Sequence, residues 1–594
     1  MCGIVGYNIE AFNALDLTLS SLKHLEYRGY DSVGLSFMQN GKIVTKKIAG
    51  RIDDLSSQFT QEENSQIAIG HTRWSTHGKP TVENAHPHHV GNVSLVHNGI
   101  IENYKELKEE LLFEGCVFKS TTDSEVIAHF IAQALKKHTP CKAIEQVLAK
   151  FTGKYAVAFL IEGDNTVYAF RSSGSPMIIG VLDNGYTLAS DFNTVSHHTN
   201  RFIIMEDRQY ALLTSKTARF FNAKGEVIQK TPIIKDIQTT KFTKDGFETF
   251  MMKEIHEQPQ VVRNLLLHYT KNGKISLNIP AISRFDKISI IACGTSFFAG
   301  SLGKYIIESY AAIPVTVEIS SEFSHRKQPF AKNTLYIFAS QSGETADTIA
   351  AMEYTIANKT PCSKILSILN SVQSSMAQKS DFILECFAGP EIGVASTKNF
   401  VAQLVVFYLL TLQSNSSLEH LIIDELIRIP YAIEAILANH NTMQAIEKTV
   451  ESIINAKKVV FTGRTFLFPI ACEGALKLSE LSYILVQSIA SGEFKHGPIA
   501  IVDDTTIAIS ITHSQNMYQK TLLSNEEILS RNGTVIVISD STSADISVTE
   551  ASDFTHTYPI LLTIVIQLLS YYTAEKLGND IDKPRNLAKS VTVE

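Results

Sequence analysis

The sequence predicts a multidomain chain of α/β and α+β character, with stacked sheets and outer helices in the N-terminal third and parallel-sheet α/β units in the remainder. Three observations predict it. At 594 residues the chain exceeds what one core organises, and about 150 residues per domain suggests three or four folding units. Up to about residue 234, short β-rich runs (QIAIG, VSLVHN, KYAVAFLI, TVYAF) alternate with a few amphipathic helices, clearest at 103–112 and 124–136. Beyond about residue 248, apolar strands alternate with helices, the pattern of parallel βα units.

Composition narrows the function. Hydrophobic residues make up 44% and charged residues 19%, enough to bury several cores, and the formal charge of -7 argues against nucleic-acid or acidic-membrane partners, which need a basic face. An anionic ligand therefore needs a local site. The cysteines at 2, 116, 141, 293, 362, 386 and 472 are scattered, odd in number and without a CxxC pair, so they read as reduced thiols in a cytoplasmic protein. No basic segment followed by an apolar run marks a secretory signal. The most apolar stretches, 401–412 and 559–572, fall short of the roughly 18 residues of a membrane span and read as buried helices.

In the N-terminal third, taken here as 2–234, Cys2 follows the initiator methionine directly. Removal of Met1 would place a thiol (pKa about 8.5) and an α-amine (about 7.7 to 8.0) on one residue, joining nucleophile and base. Taken alone, Cys2 is also a small residue opening a buried strand. Three polar clusters interrupt the β-rich pattern, HTRWSTHG at 71–78, HNGIIEN at 97–103 and TTDSE at 121–125. An amide-cleaving thiol needs donors for a tetrahedral oxyanion, which Asn98 and the Gly99 N–H can supply, and a clamp for the substrate's charges. Arg73 suits a carboxylate and Asp123 an ammonium. Singly, Asn98-Gly99 is also a hairpin signal, Asp123 a helix cap and Arg73 a surface ion-pair member. His86, His88 and His89, separated by a proline, read as a loop and not a metal site.

Residues 235–248 turn polar and charged and read as a hinge. Two α/β units then follow, at 285–420 and 455–580, with a weak internal duplication. ASQSGETADT joins a strand to a helix through a hydroxyl-rich turn suited to a phosphate, although serine or threonine capping gives the same pattern. No Walker loop is present.

The runs MCGIVGY, ALDLTLSSLKHLEYRGYDSVGL, HTRWSTHGKP, NAHPH, HNGIIENY and TTDSE, in this order, resemble the class II N-terminal-nucleophile glutamine amidotransferases. The resemblance implies an αββα sandwich with Cys2 as glutaminase nucleophile and Asn98 with Gly99 as oxyanion hole. L-Glutamine would be bound by Arg73 and Asp123, with Trp74, Thr76 and His77 in the same loop. CGTS, SQSGETADT, EIGVASTK, EGALKLSELSY, GEFKHGP and the tail DKPRNLAKSVTVE (within 581–594) resemble paired sugar-isomerase domains. By that resemblance Ser296, Ser340, Gln341, Ser342 and Thr345, with Val394 and Ser396 nearby, hold D-fructose 6-phosphate, and Lys477, Glu480, His496 and Lys589 are catalytic.

Together the resemblances imply transfer of the glutamine amide nitrogen to D-fructose 6-phosphate with isomerisation, giving D-glucosamine 6-phosphate and L-glutamate. This is the first step toward UDP-N-acetylglucosamine and amino-sugar synthesis, and it needs no metal, nucleotide or other cofactor. They also imply a homodimer in which His496 serves the partner's site, and an ammonia path gated by Trp74 and Arg585. The residue types suit this chemistry. His496 exchanges protons near neutrality for ring opening, Glu480 moves a proton between C1 and C2, and Lys589 forms a Schiff base once its pKa is lowered from about 10.4 by burial or a nearby cation. Lys477 would assist proton transfer at the ring oxygen. Glu473, Lys477 and Glu480, at i, i+4 and i+7, are equally the spacing of a surface salt-bridge ladder.

Overall fold

The computed structural model describes residues 2–10, 13–26, 29–60, 62–75, 77–235, 243–271, 273–414 and 416–591. The chain divides into two units, Met1–Phe242 with Ser590–Glu594, and Thr243–Lys589. Of the 235–248 hinge read from the sequence, 236–242 lie outside the described residues.

The first unit stacks two antiparallel sheets. The eight-stranded sheet centres on Gly3–Ile9, which pairs with Ile67–Arg73 on one side and Gly185–Ala189 on the other. In the seven-stranded sheet Val93–Ile101 pairs along its length with Gly153–Ile161, toward one end of the sheet. Strand alternation sends one set of side chains between the sheets, where Ile4, Ile69, Val96, Ala158, Ala169 and Leu188 form a shared core. The opposite faces are covered by helices: Ala14–Leu25 on the first sheet, through Leu15, Leu22 and Leu25, and Tyr104–Phe113, Ser124–Ala134 and Pro140–Lys150 on the second. The result is the four-layer αββα sandwich expected of the N-terminal third. The helices expected at 103–112 and 124–136 run Tyr104–Phe113 and Ser124–Ala134.

The second unit opens with helix Phe250–Tyr269, whose start is capped by Thr249 and by the Asp582 carboxylate accepting the Phe250 and Met251 N–H groups at 2.9 Å each. Two five-stranded parallel sheets follow. Numbered along the chain within each, the strands are Lys287–Ala292, Val315–Ile319, Thr334–Ser340, Lys364–Leu369 and Phe382–Glu385 in one sheet. In the other they are Lys458–Gly463, Val486–Ala490, Thr506–Ile511, Thr534–Ser539 and Ile546–Ser547. Both sheets have the spatial order 2-1-3-4-5, so the duplication faint in the sequence is plain in topology.

The apolar stretches become the helices Lys398–Leu412, buried at every residue, and Tyr558–Lys576, buried at nearly all. Each fully buried leucine, isoleucine or phenylalanine there contributes about 1.5 to 3 kcal/mol. Among the described residues no helix is long and apolar enough to cross a membrane. All seven cysteines are free thiols.

Candidate active sites

Cys2 precedes the central strand of the eight-stranded sheet, and the Gly3–Thr72 register sets it beside Arg73 and Trp74. Its Sγ accepts the Trp74 N–H at 3.4 Å and lies 3.5 Å from the Trp74 carbonyl oxygen. Burial raises the thiol above its ordinary value; the Trp74 N–H and Arg73 oppose that shift, and the Asp123 charge adds to it. The resting group is therefore a thiol that needs a proton acceptor before it attacks.

Asn98 and Gly99 do not form a hairpin turn. They lie within strand Val93–Ile101, where Gly99 has φ of +116° and a Cβ would stand 2.0 Å from the Lys154 carbonyl oxygen of the neighbouring strand. The Asn98 side chain is oriented from both ends. His71 Nε2 lies 2.9 Å from the His97 carbonyl and 3.1 Å from Asn98 Oδ1, two acceptors that require hydrogen on Nε2. Burial, with His97 and Arg73 close by, pushes His71 down to about 3, so the ring is neutral. Asn98 Nδ2 then donates at 2.8 Å to Ser190 Oγ, and Ser190 Oγ itself accepts the Ile4 N–H. One Nδ2 hydrogen is left for an oxyanion.

Arg73 is buried, and its guanidinium donates to the carbonyls of His77 and Gly78 and to Ser75 Oγ, shaping the 75–79 loop. Trp74 and His77 are half-buried in that segment, and Thr76 lies outside the described residues. Asp123 stands at the start of Ser124–Ala134 but makes no capping bond; its Oδ2 accepts the Ile101 N–H at 2.9 Å. Arg73 and Asp123 are near enough to bear on the ionisation of Cys2, and Cys2 and Asp123 on that of Arg73. The loop expected at 86–89 is a strand from His88, in His88–Val90; His86 stacks on His71 at 4.1 Å, lies 4.7 Å from the His88 ring and accepts the His97 N–H, while His88 meets Thr122 and His89 meets Thr45.

In the second unit, topology alone points to a ligand site. In a 2-1-3-4-5 sheet the connections from strands 1 and 3 leave in opposite directions, opening a crevice at their carboxyl ends. In the first sheet those ends carry Cys293–Ser296 and Ser340–Thr345. Ser296 lies in the first turn of Gly294–Ala311 and accepts from Gln403 Nε2 at 3.0 Å. Ser340 Oγ pairs with Thr345 Oγ1 and accepts the Gly343 N–H, and Ser342 Oγ accepts the Glu344 N–H, so the loop is folded on itself at the start of Ala346–Asn358. Gly343 has φ of +66°, and a Cβ there would lie 2.0 Å from Ser374 Oγ. Gln341 is half-buried in this turn. Two helix starts and their hydroxyls thus face one crevice, an arrangement made for phosphate.

Charged groups gather at the same edge. Glu473 and Lys477 on Leu467–Ser482 are fully buried, so this is not a surface ladder. Lys477 bonds Glu480 and lies 3.7 Å from Glu473, and Glu473 accepts from Thr295 Oγ1 at 3.2 Å, which ties the helix to the Cys293–Ser296 turn. Burial pushes Glu473 up to about 8, with Lys477 opposing and Glu480 adding, while the two glutamates hold Lys477 protonated against its own burial. Lys589 reaches the site along a tail pinned by Asp582, whose carbonyl accepts the Val394 N–H. Its Nζ donates to Glu391 Oε2 at 2.5 Å and to the Gly393 carbonyl at 2.8 Å. Ser396 donates to the same Glu391 oxygen at 3.0 Å. Of the two conditions expected to activate Lys589, burial or a nearby cation, burial is present, and the charge beside it is a carboxylate and not a cation. His496 stands apart: it ends the 3-10 turn Ser491–His496 and is exposed. Arg585 lies over the Tyr483 ring at 4.1 Å.

Comparison with known proteins agrees with both halves. A glutamine amidotransferase domain matches residues 71–197, and a SIS domain matches twice, at 281–413 and 452–574. The glutamine–fructose-6-phosphate aminotransferase [isomerizing] of Aquifex aeolicus is 41% identical over 604 residues, and one from Bradyrhizobium diazoefficiens is 38% identical over 618, each covering 100% of both chains. The chain belongs to the isomerising glutamine–fructose-6-phosphate aminotransferase family. Among solved structures, the C-terminal domain of the Francisella tularensis glucosamine-fructose-6-phosphate aminotransferase aligns with TM-score 0.52 and 34% identity over 57% of this chain and 100% of its own.

Within this aminotransferase family member, several residues that hold the sites were not singled out from the sequence: His71 and Ser190 behind Asn98, Gln403 behind Ser296, and Glu391, Glu254 and Asp582 around the tail. His71, Glu391 and Asp582 lay inside conspicuous runs, HTRWSTHG, EIGVASTK and DKPRNLAKSVTVE, where nothing local marked their partners; Ser190, Gln403 and Glu254 did not. The strand position of Gly99 gives a direct expectation for the family's amidotransferase unit. Gly99→Ala forces a side chain into a backbone carbonyl at positive φ, at a cost of about 3 kcal/mol or more. Scanning calorimetry should show the unit's melting temperature falling by roughly 6 to 12 °C. A wild-type melt would show that this strand can shift, contrary to its packing.

Proposed function

We propose that the chain transfers the amide nitrogen of L-glutamine to D-fructose 6-phosphate and isomerises the adduct to D-glucosamine 6-phosphate, releasing L-glutamate. The observation that carries this reading is the gathering of the two hydroxyl-rich turns, the Lys477–Glu480 pair and Lys589 at the crevice of one parallel sheet, in a chain that also bears the Cys2 cluster.

Cys2, with its own α-amine as base once Met1 is gone, attacks the side-chain amide carbon of glutamine. Asn98 Nδ2 and the Gly99 N–H stabilise the oxyanion, ammonia leaves, and water hydrolyses the thioester. Arg73 and Asp123 hold the α-carboxylate and α-ammonium, and Trp74, Thr76 and His77 are assigned to glutamine binding with them. In the other half, Ser296, Ser340, Gln341, Ser342 and Thr345 bind the phosphosugar, with Val394 and Ser396 alongside. The exposed His496 of a second copy opens the ring, which makes the working form a homodimer. Lys589 forms an imine at C2, ammonia displaces it, and Glu480, with Lys477 beside it, carries the proton from C1 to C2. Trp74 and Arg585 are the residues we assign to gating ammonia, and the cytoplasm is the compartment we assign.

The test is to measure glutamate and glucosamine 6-phosphate together, with and without fructose 6-phosphate. Equimolar release that needs both substrates is expected. Glutamate formed with an amino product only on some other acceptor would overturn the sugar assignment.

A further inference from the structure

We infer that Glu391 is a further catalytic residue of the sugar-phosphate half, the base that takes a proton from Lys589 so that its amine can attack the ketose, and the acid that returns it. This rests on the reading of Lys589 as the imine-forming lysine. Schiff-base formation needs a neutral amine, yet Lys589 is only 4% exposed, and its Nζ faces a carboxylate and a carbonyl. Water cannot readily take the proton there, whereas Glu391 Oε2 is already in hydrogen-bond contact with the nitrogen that must lose it.

Glu391 is built for the part. Its Oε1 accepts the N–H groups of Thr397 and Asn399 at 2.9 and 3.1 Å, at the start of Lys398–Leu412, so the carboxylate caps that helix and cannot swing away. Its Oε2 is shared between Lys589 and the Ser396 hydroxyl, within the loop that carries Val394. Burial pushes its carboxyl up, but Lys589 and these donors hold it below the usual carboxylate range.

The other charged groups facing it are otherwise engaged. Lys398 pairs with Glu257 at 2.5 Å, and Lys477 is held by Glu480 and Glu473. The Cys386 thiol is neutral by burial. Glu254, on Phe250–Tyr269, accepts the Ile392 and Gly393 N–H groups with Oε1 while its buried Oε2 has no hydrogen-bond partner among the described residues. Burial and the Glu391 charge push Glu254 up to about 8, so at neutrality it is protonated and does not compete for Lys589. Gly393 joins the two carboxyls, since its N–H meets Glu254 and its carbonyl meets Lys589.

The proton count closes. Lys589 ammonium gives one proton to Glu391, and its nitrogen lone pair forms the bond to C2 while the carbonyl π pair moves to oxygen. The resulting alkoxide takes a proton from nitrogen. Glu391 returns its proton to that hydroxyl, which leaves as water when nitrogen closes the iminium. Three ammonium hydrogens become two on water and one on the iminium, and Glu391 ends as it began.

The test is borohydride trapping on fructose 6-phosphate with the full-length chain, followed by peptide mass mapping over pH 6.5 to 9.5. Glu391→Gln keeps the acceptor for Thr397 and Asn399 but removes the base. Its trapping rate at pH 7 should fall about 100-fold, with the adduct still on Lys589 and the deficit shrinking as hydroxide takes over the deprotonation. Glu391→Asp keeps the charge and should stay within about tenfold of wild type, which also serves if the amide variant does not fold. Trapping by Glu391→Gln at the wild-type rate, or a loss in either variant that is equal at every pH, would overturn the proposal and leave Glu391 a packing residue. Absence of a Lys589 adduct in the unaltered chain would overturn the imine reading itself, a distinct outcome.

Discussion

A Cys2→Ala chain is expected to lose glutamine-dependent formation of glucosamine 6-phosphate by about 10⁴-fold or more, the scale seen when a sole nucleophile is removed, while conversion of fructose 6-phosphate to its aldose isomer stays measurable. The size follows from the proposed role of the sulfur as the thioester-forming nucleophile; without it, the charge assigned to the Asn98 amide and the Gly99 N–H does not develop. The selectivity follows from the fold. The Cys2 strand belongs to the first unit and packs in the sandwich cores, whereas Lys477, Glu480 and Lys589 belong to the second unit, whose two parallel sheets share one core. Glutamine affinity, read by calorimetric titration, should survive because Arg73 and Asp123 are untouched. Parallel loss of glutaminase and isomerase activity would show that the halves do not function separately.

Much of this was legible in the sequence because the first site is built from contiguous runs. Cys2, Arg73, Asn98, Gly99 and Asp123 sit in motifs whose local order is their spatial order around the Gly3–Ile9 and Val93–Ile101 strands. Local rules failed where a distant segment decides the outcome. Asn98-Gly99 satisfies the preferences of a turn, but the glycine is required by a carbonyl on the strand Gly153–Ile161. Asp123 occupies a cap position, but its carboxylate turns to Ile101. The i, i+4, i+7 spacing of Glu473, Lys477 and Glu480 cannot tell a solvated face from a buried one, and only the packing of Thr295 against Glu473 shows which it is.

Strands were missed for a similar reason. Val315–Ile319 and Val486–Ala490 are short edge strands with partly exposed residues, so they lack the continuous apolar run that announces an inner parallel strand. Ser190 and Gln403 are ordinary residues in ordinary sequence, and Glu391 opens the run EIGVASTK with no local sign of its partner; each matters through the side chain it holds.

Lys589 supports the other large expected effect. Fructose 6-phosphate with borohydride should leave a reduced sugar adduct on Lys589, and Lys589→Ala should abolish the adduct and slow isomerisation by about 10³-fold, or about 4 kcal/mol of barrier. The alternative bearer of an imine at this edge is Lys477, which is equally buried. Its surroundings separate the two. Lys477 lies between Glu473 and Glu480, which raise its pKa despite burial and keep it an ammonium, suited to holding a proton or a charge. Lys589 faces one carboxylate that is itself anchored by two backbone N–H groups, and its tail is fixed to the start of Phe250–Tyr269 through Asp582, so the amine is delivered to the crevice from a chain end and not from a helix face. An adduct recovered on Lys477 would reverse these roles, and one recovered on neither lysine would mean that the ketose is opened and enolised without a covalent bond to the protein.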